Sequence, residues 1–428
     1  MKKENMKSYL EFTPSERRAE YNRLLKSYAE YKSRALSLDL SRGKPNSEQL
    51  DISNGLLSVD LVKYHKTEDG FDCRNYGLVD GLPEMKRFFA DATGLSPDDI
   101  IVGGNSSLQL MYDTLSRAML FGVHGSVMPW CRESGLKWIC VTPGYDRHFR
   151  ITELLGFELI SVRMLPTGPD MDEVERLALD PKVKGIWCVP KYSNPTGNTY
   201  SDETVRRLAS MKCAAPDFRI MWDNAYGIHD FGEDKDELAD IFSIAKEYGN
   251  EDRIFYYSST SKVTYPGGGV AFMAASENNR CQIMPHLTAQ TIGFDKLNQL
   301  RHLRFFGTAD NMYSHMLKLG KDVKGKFDIA LSALKELSGL GIAKWTEPRG
   351  GYFISVDTIP GTAKRVYEIC REVGVTLTPA GATYPYGIDP QDSNLRLAPT
   401  YPTDAELKLA SEILVLSIKL ASLEKLGV

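Results

Sequence analysis

A chain of 428 residues exceeds what one hydrophobic core ordinarily holds, so two domains are expected. Its net charge of −4, with 25% charged and 42% apolar residues, suits a globular protein and argues against a nucleic-acid or anionic-membrane partner. Seven scattered cysteines without CxxC spacing read as reduced thiols rather than a disulfide framework or metal site, and the segment MKKENMKSYLEF has no apolar leader core, so a cytoplasmic location is expected.

Thr13-Pro14-Ser15-Glu16 is a helix start: Thr13 can cap, Pro14 fits the first turn, and Glu16 completes a capping box. The helix is predicted to run to about Arg34. The segment before Leu36 is too short for a separate DNA-binding domain. From about residue 80 to 275, strand-length apolar runs alternate with helical patterns. Ile100–Val102, Trp138–Val141, Gly185–Val189, Arg219–Trp222 and Ile254–Tyr257 are the strands, each bounded by Gly, Pro, Asn or Asp. Leu108–Leu120 and Asp202–Met211 are intervening helices. Such alternation predicts a mainly parallel sheet covered on both faces, with ligands outside the carboxyl ends of the strands. After Leu297 the pattern changes to a long helical stretch, Asn298–Leu337, then a strand-like run, Gly350–Ser355, and a helix, Ala363–Val373. The expected organisation is a large domain over residues 61–305 and a smaller α/β domain over 306–428, which the segment 1–60 joins. No internal repeat or low-complexity linker is present.

Four turns follow predicted strands. Gly103-Gly104-Asn105-Ser106-Ser107 leads into a helix, and backbone N–H groups at a helix start with small hydroxyls make an anion site. Ser193-Asn194-Pro195-Thr196-Gly197 places an amide after a strand, where it can donate to a phenolate. Asp223 ends a strand, where a carboxylate can pair with a protonated pyridine nitrogen. Ser259-Thr260-Ser261-Lys262 holds a lysine in a hydroxyl-rich turn, and partial desolvation there favours the uncharged, nucleophilic amine. Each turn alone has an ordinary structural explanation: a glycine turn, a loop, a capping Asp, a solvated lysine. Their order, each after its own strand, is far more specific.

With this order in view, the chain resembles the fold-type I pyridoxal-5′-phosphate (PLP) aminotransferases of class I/II, over essentially Leu38 to Pro402. Asn194-Pro195-Thr196-Gly197 and Ser259-Thr260-Ser261-Lys262 carry the resemblance jointly. Asp223-Asn224-Ala225-Tyr226, Tyr76 with Gly81-Leu82-Pro83-Glu84, and Asn394-Leu395-Arg396-Leu397 are similar to further motifs of that family. SRGKPN, GGNSSLQLMYD and the stretch Thr291–His302 look like its MocR-type, aspartate-aminotransferase-like subgroup.

The resemblance implies a large domain with a mainly parallel seven-stranded sheet between helices, a smaller α/β domain, and PLP as cofactor. Lys262 would be the Schiff-base lysine and proton shuttle. Asp223 would pair with the ring nitrogen, and Asn194 and Tyr226 would hydrogen-bond the phenolic oxygen. Tyr145 would stack on the ring. Ser106, Ser107, Ser259 and Ser261 would hold the phosphate, with Tyr76 reaching it from the other subunit of a homodimer. Arg396 would clamp the substrate α-carboxylate as a bidentate fork, with Gly43 and Asn194 beside it. One departure stands out: the family's phosphate-pairing arginine, eight residues after the lysine, is Val270 here. Lys296, expected to start a helix at an exposed turn, is the candidate either for that phosphate or for a substrate's distal carboxylate; Arg42, Lys44 and Arg147 are further candidates for the carboxylate. The implied reaction is ping-pong transamination from an L-amino acid, aspartate by the subgroup resemblance, to a 2-oxo acid such as 2-oxoglutarate, without a metal. Two alternatives stay open: a PLP enzyme of other specificity, aminotransferase or lyase, and a PLP-binding regulator lacking its DNA-binding domain.

Overall fold

The near-continuous apolar runs become strands of one large sheet in the computed structural model, which describes residues 7–428. The leader expectation rests in part on residues 1–6, outside the described residues. The strands are β1 (Ile100–Val102), β2 (Lys137–Thr142), β3 (Glu158–Leu165), β4 (Gly168–Pro169), β5 (Val183–Cys188), β6 (Arg219–Asp223), β7 (Ile254–Ser259) and β8 (Ala271–Ala275). Their order is β1-β8-β7-β6-β5-β2-β3-β4. The five strands from β7 to β3 run parallel, and β8 is antiparallel to both neighbours. Seven strands match the expected sheet; the eighth, β4, is a two-residue antiparallel addition at its edge.

Alternate residues of each strand serve opposite faces. Ile139, Ile186, Ile220 and Trp222 join one buried layer, while Trp138, Cys140, Trp187 and Met221 join the other. Burial on both faces explains why these strands read as unbroken apolar runs. No helix of the described residues is long and apolar enough to cross a membrane.

The first helix, α1 (Pro14–Ser33), has the anticipated capping box between Thr13 and Glu16. It packs with Ala363–Val373 and Asp404–Lys425 in a second core that includes Tyr9, Leu24, Val366, Ile369 and Leu414. The predicted helical stretch Asn298–Leu337 is not continuous. It is broken between Lys296–Phe306 and Ala309–Leu334, because Gly307 takes a left-handed φ of 72° and Thr308 caps the second helix by accepting from the Asn311 N–H. That second helix serves both cores: Met312, Met316 and Leu319 lie in the first, Val323, Phe327 and Ala330 in the second.

The strand expected at Gly350–Ser355 is shifted to Ile354–Thr358, paired between Ala343–Trp345 and Asn394–Leu397. Gly350 and Gly351 instead press on Tyr192. A Cβ on Gly350 would come within 2.2 Å of that ring, and Gly351 has a φ of 80°. The glycines serve a close approach, not a strand.

Candidate active site

Five turns at the carboxyl ends of parallel strands and of β1 meet in one cavity of about 140 Å³. Ser106 and Ser107 come from the turn after β1, Tyr145 from that after β2, and Asn194 from that after β5. Asp223 is the last residue of β6, Tyr226 lies just beyond it, and Ser259, Ser261 and Lys262 close β7. Larger recesses of about 410 and 730 Å³ do not include Lys262.

Asp223 is buried, and its two oxygens differ. Oδ2 accepts from His148 Nε2 at 2.9 Å, while Oδ1 is buried without a partner. A carboxylate only accepts, so His148 carries its proton on Nε2. An orphaned carboxylate oxygen inside a protein is costly unless something donates to it. A protonated ring nitrogen would do so. The His148 ring is clamped against Trp187, centroids 4.4 Å apart and planes 12° from parallel, and meets the edge of Tyr145.

The helix after β1, Ser107–Phe121, begins at Ser106, whose side chain makes no capping bond. Its first amides and two hydroxyls are therefore available to an anion. Ser261 Oγ donates to the Asn105 carbonyl at 2.8 Å and accepts from Ser259 Oγ at 3.1 Å, which ties the lysine turn to this helix start. No arginine lines the cavity. Val270, where the family's arginine would stand, is core; its N–H donates to Thr260 Oγ1 and its carbonyl accepts from the Thr260 N–H.

Lys262 Nζ stands 4.8 Å from the centre of the Tyr226 ring and 6.0 Å from that of Tyr352. Burial, with the Asp223 charge second, pushes the Tyr226 phenol well above its usual range; burial also pushes Tyr145 up to about 12. Both stay protonated, so Tyr226 offers an O–H to an anionic oxygen. His229, beside the Lys262 turn, is driven down to about 3 by burial and then by the Lys262 and Lys191 charges. It is neutral.

Arg396, on the strand Asn394–Leu397, is 9% exposed and reaches Asn194 Oδ1 at 3.4 Å. Its guanidinium carbon lies 5.1 Å from the centre of the Phe353 ring, against which Gly43 packs without room for a side chain. The structure thus joins Gly43 and Arg396 through Phe353, and Arg396 to Asn194, which lines the Lys262 cavity. It keeps Tyr76 and Lys296 out of the residues lining that cavity. Tyr76 is 76% exposed. Lys296 starts its helix as expected but does not sit at an exposed turn. It is 7% exposed, and Gly293 lies close both to its Nζ and to the carbonyl of Gly77, the residue after Tyr76. Of the other cations, Arg42 is paired with Asp39 at 3.0 Å and Lys44 lies over Tyr401.

Two site residues escape a reading of the sequence: His148 behind Asp223, and Asp146, whose Oδ1 accepts from Arg396 Nη1 at 2.7 Å. A signal for the first was available. His148 follows Tyr145 by three residues, the spacing that puts both on one side of the helix start.

The family model described as aspartate amino-transferase matches residues 12–428. An aspartate aminotransferase of Corynebacterium glutamicum is 45% identical over 400 residues, covering 93% of each chain. A crystal structure of an aspartate transaminase from Corynebacterium glutamicum superposes with a TM-score of 0.96 at 44% identity, covering 98% of this chain and 99% of that one. An α-aminoadipate aminotransferase of Thermus thermophilus, solved with N-(5′-phosphopyridoxyl)-L-leucine, shares the fold at 21% identity and TM-score 0.73, covering 94% of this chain and 95% of that one.

Proposed function

The chain belongs to the aspartate amino-transferase family and is a PLP-dependent aminotransferase, and from that premise we propose that it transfers the amino group of aspartate to 2-oxoglutarate. The observation that carries the reading is one cavity lined by an amine, Lys262, and by Asp223 with its orphaned Oδ1, whose lining residue Asn194 is also reached by the buried Arg396. When bound, PLP supplies a conjugated, electron-withdrawing ring that accepts the electrons released at the substrate Cα.

Each side chain then has one task. Lys262 would hold the cofactor covalently and, as a free amine, would move the proton from the substrate Cα. Asp223 keeps the ring-nitrogen proton in place, and His148 holds Asp223. Asn194 and Tyr226 donate to the phenolic oxygen, and Tyr145 covers one ring face. Ser106, Ser107, Ser259, Ser261 and the helix amides hold the phosphate. Arg396 orients the substrate by its α-carboxylate, beside Gly43 and Asn194.

The substrate is tested by mixing purified protein with aspartate alone while following the cofactor spectrum. Conversion to the amino form of the cofactor, reversed by 2-oxoglutarate, is expected. No spectral change with aspartate but a change with another amino acid would reassign the donor.

We further propose a homodimer with shared sites, a cytoplasmic location suited to seven free cysteines, and the domain division 61–305 and 306–428, with 1–60 joining the second. In the shared site Tyr76 meets the partner's phosphate and Lys296 meets the distal carboxylate of the partner's substrate; their closeness to one another through Gly77 and Gly293, and their absence from the lining of their own Lys262 cavity, support this. Lys296→Ala is expected to raise KM for aspartate by about tenfold or more, as loss of a charge-assisted contact does, while sparing PLP affinity. Loss of PLP affinity instead would move Lys296 to the phosphate. Hybrids formed from Lys262→Ala and Lys296→Ala subunits should regain the normal KM, since one site per dimer would then be intact; hybrids that keep the raised KM of Lys296→Ala would rule out the shared site.

A further inference from the structure

We infer that Asp146 occupies the carboxylate-binding fork of Arg396 in the substrate-free protein and is displaced by substrate, so that this side chain sets how tightly carboxylates are held. The inference rests on the reading that Arg396 receives the substrate carboxylate.

Among the described residues, the guanidinium of Arg396 has one charged partner. Nη1 donates to Asp146 Oδ1 at 2.7 Å, the distance of a charge-assisted bond. Its other contacts, Nη1 to Asn194 Oδ1 and Nη2 to Thr378 Oγ1, are neutral and long at 3.4 Å. Nε is buried with no partner, and Phe353 lies close by. Approach by a ligand is thereby limited to the two terminal nitrogens. A bidentate carboxylate needs both of them, and Asp146 stands on one. Two carboxylates on one fork repel, so Asp146 must leave.

Asp146 is able to leave. Its side chain is 33% exposed, and it is the first residue of the helix Asp146–Leu154, whose N-terminal amides favour a carboxylate that has swung outward. Without substrate it neutralises a nearly buried cation that would otherwise be costly. With substrate it competes. The competition lowers apparent affinity by the fraction of molecules in which the fork is open. A largely buried ion pair of this kind weakens a competing ligand by about three- to tenfold.

The test is calorimetric binding of maleate, a dicarboxylate without an amino group, to the holoenzyme. Asp146→Asn keeps the shape and removes the charge. It is expected to tighten maleate about three- to tenfold and to lower KM for aspartate by a similar factor. Unchanged or weaker maleate binding would make Asp146 an orienting partner of Arg396 and overturn the inference. Independently of any variant, a structure of the unmutated protein with maleate should show Asp146 away from Arg396. A carboxylate seated on Arg396 with Asp146 still bonded to it would equally overturn the inference. Arg396→Ala should abolish maleate binding; if it does not, the underlying assignment of Arg396 fails, whatever Asp146 does.

Discussion

Lys262→Ala is expected to abolish borohydride-fixable cofactor and to reduce turnover by about four orders of magnitude or more. Covalent attachment and proton transfer depend on one amine, and a positioned proton-transfer group alone contributes about 10²–10⁴-fold. No second amine is available to substitute. Among the described residues, Lys262 is the one lysine lining the cavity. Lys191, a buried lysine whose charge acts on His229 as that of Lys262 does, is tied to Asp230 at 2.9 Å and to the Gly227 carbonyl at 2.9 Å. His229 cannot replace it as a cationic donor, because burial keeps its ring neutral. PLP should still bind, since the phosphate turn, Asp223 and Tyr226 are untouched. The measurement is reduction with borohydride followed by mass analysis of the peptides. Cofactor fixed to any residue of the Lys262→Ala chain would refute the assignment.

The strand ends were legible because chemistry and fold share them. Asp223, Ser259 and Ser106 sit where an apolar run stops, and a parallel sheet brings such stops to one edge. Side chains whose partners come from distant segments were not legible. His148 and Asp223 are separated by 75 residues, Asp146 and Arg396 by 250. Nothing in either segment alone names its partner. The edge strand Gly168–Pro169 was hidden for a different reason: neither residue favours a strand, and pairing there depends on β3 being already in place. The shift of the strand at 354–358 and the burial of Lys296 have a common cause. In both places glycines allow a backbone or side chain to approach more closely than residue type predicts: Gly350 and Gly351 against Tyr192, Gly293 against Lys296 and Gly77. A glycine in sequence announces freedom but not what will fill the space.

Asp223→Ala is expected to lower kcat by about three orders of magnitude or more while leaving KM and cofactor attachment near normal. The reason lies in the two unlike oxygens. Oδ2 is fixed by His148, itself held flat against Trp187, so the unpartnered Oδ1 is held in place on a residue that lines the cavity. A negative charge so placed holds a proton on the ring nitrogen, and its value is greatest when electrons from the substrate Cα flow into the ring. Interactions that strengthen only in the transition state appear in kcat rather than KM, and one preorganised charged contact in a dry site is worth about 10²–10³-fold or more. Asp223→Asn keeps the shape and loses the charge, so it should be nearly as slow as alanine; a fast Asn variant would mean that shape and not charge matters. A cofactor analogue methylated at the ring nitrogen carries its charge permanently. Loaded into Asp223→Ala, it should restore a large part of the lost rate, because the task of Asp223 is then already done. Failure of that analogue to help, or near-normal turnover of Asp223→Ala with PLP itself, would show that another group protonates the ring and that the orphaned oxygen serves something else.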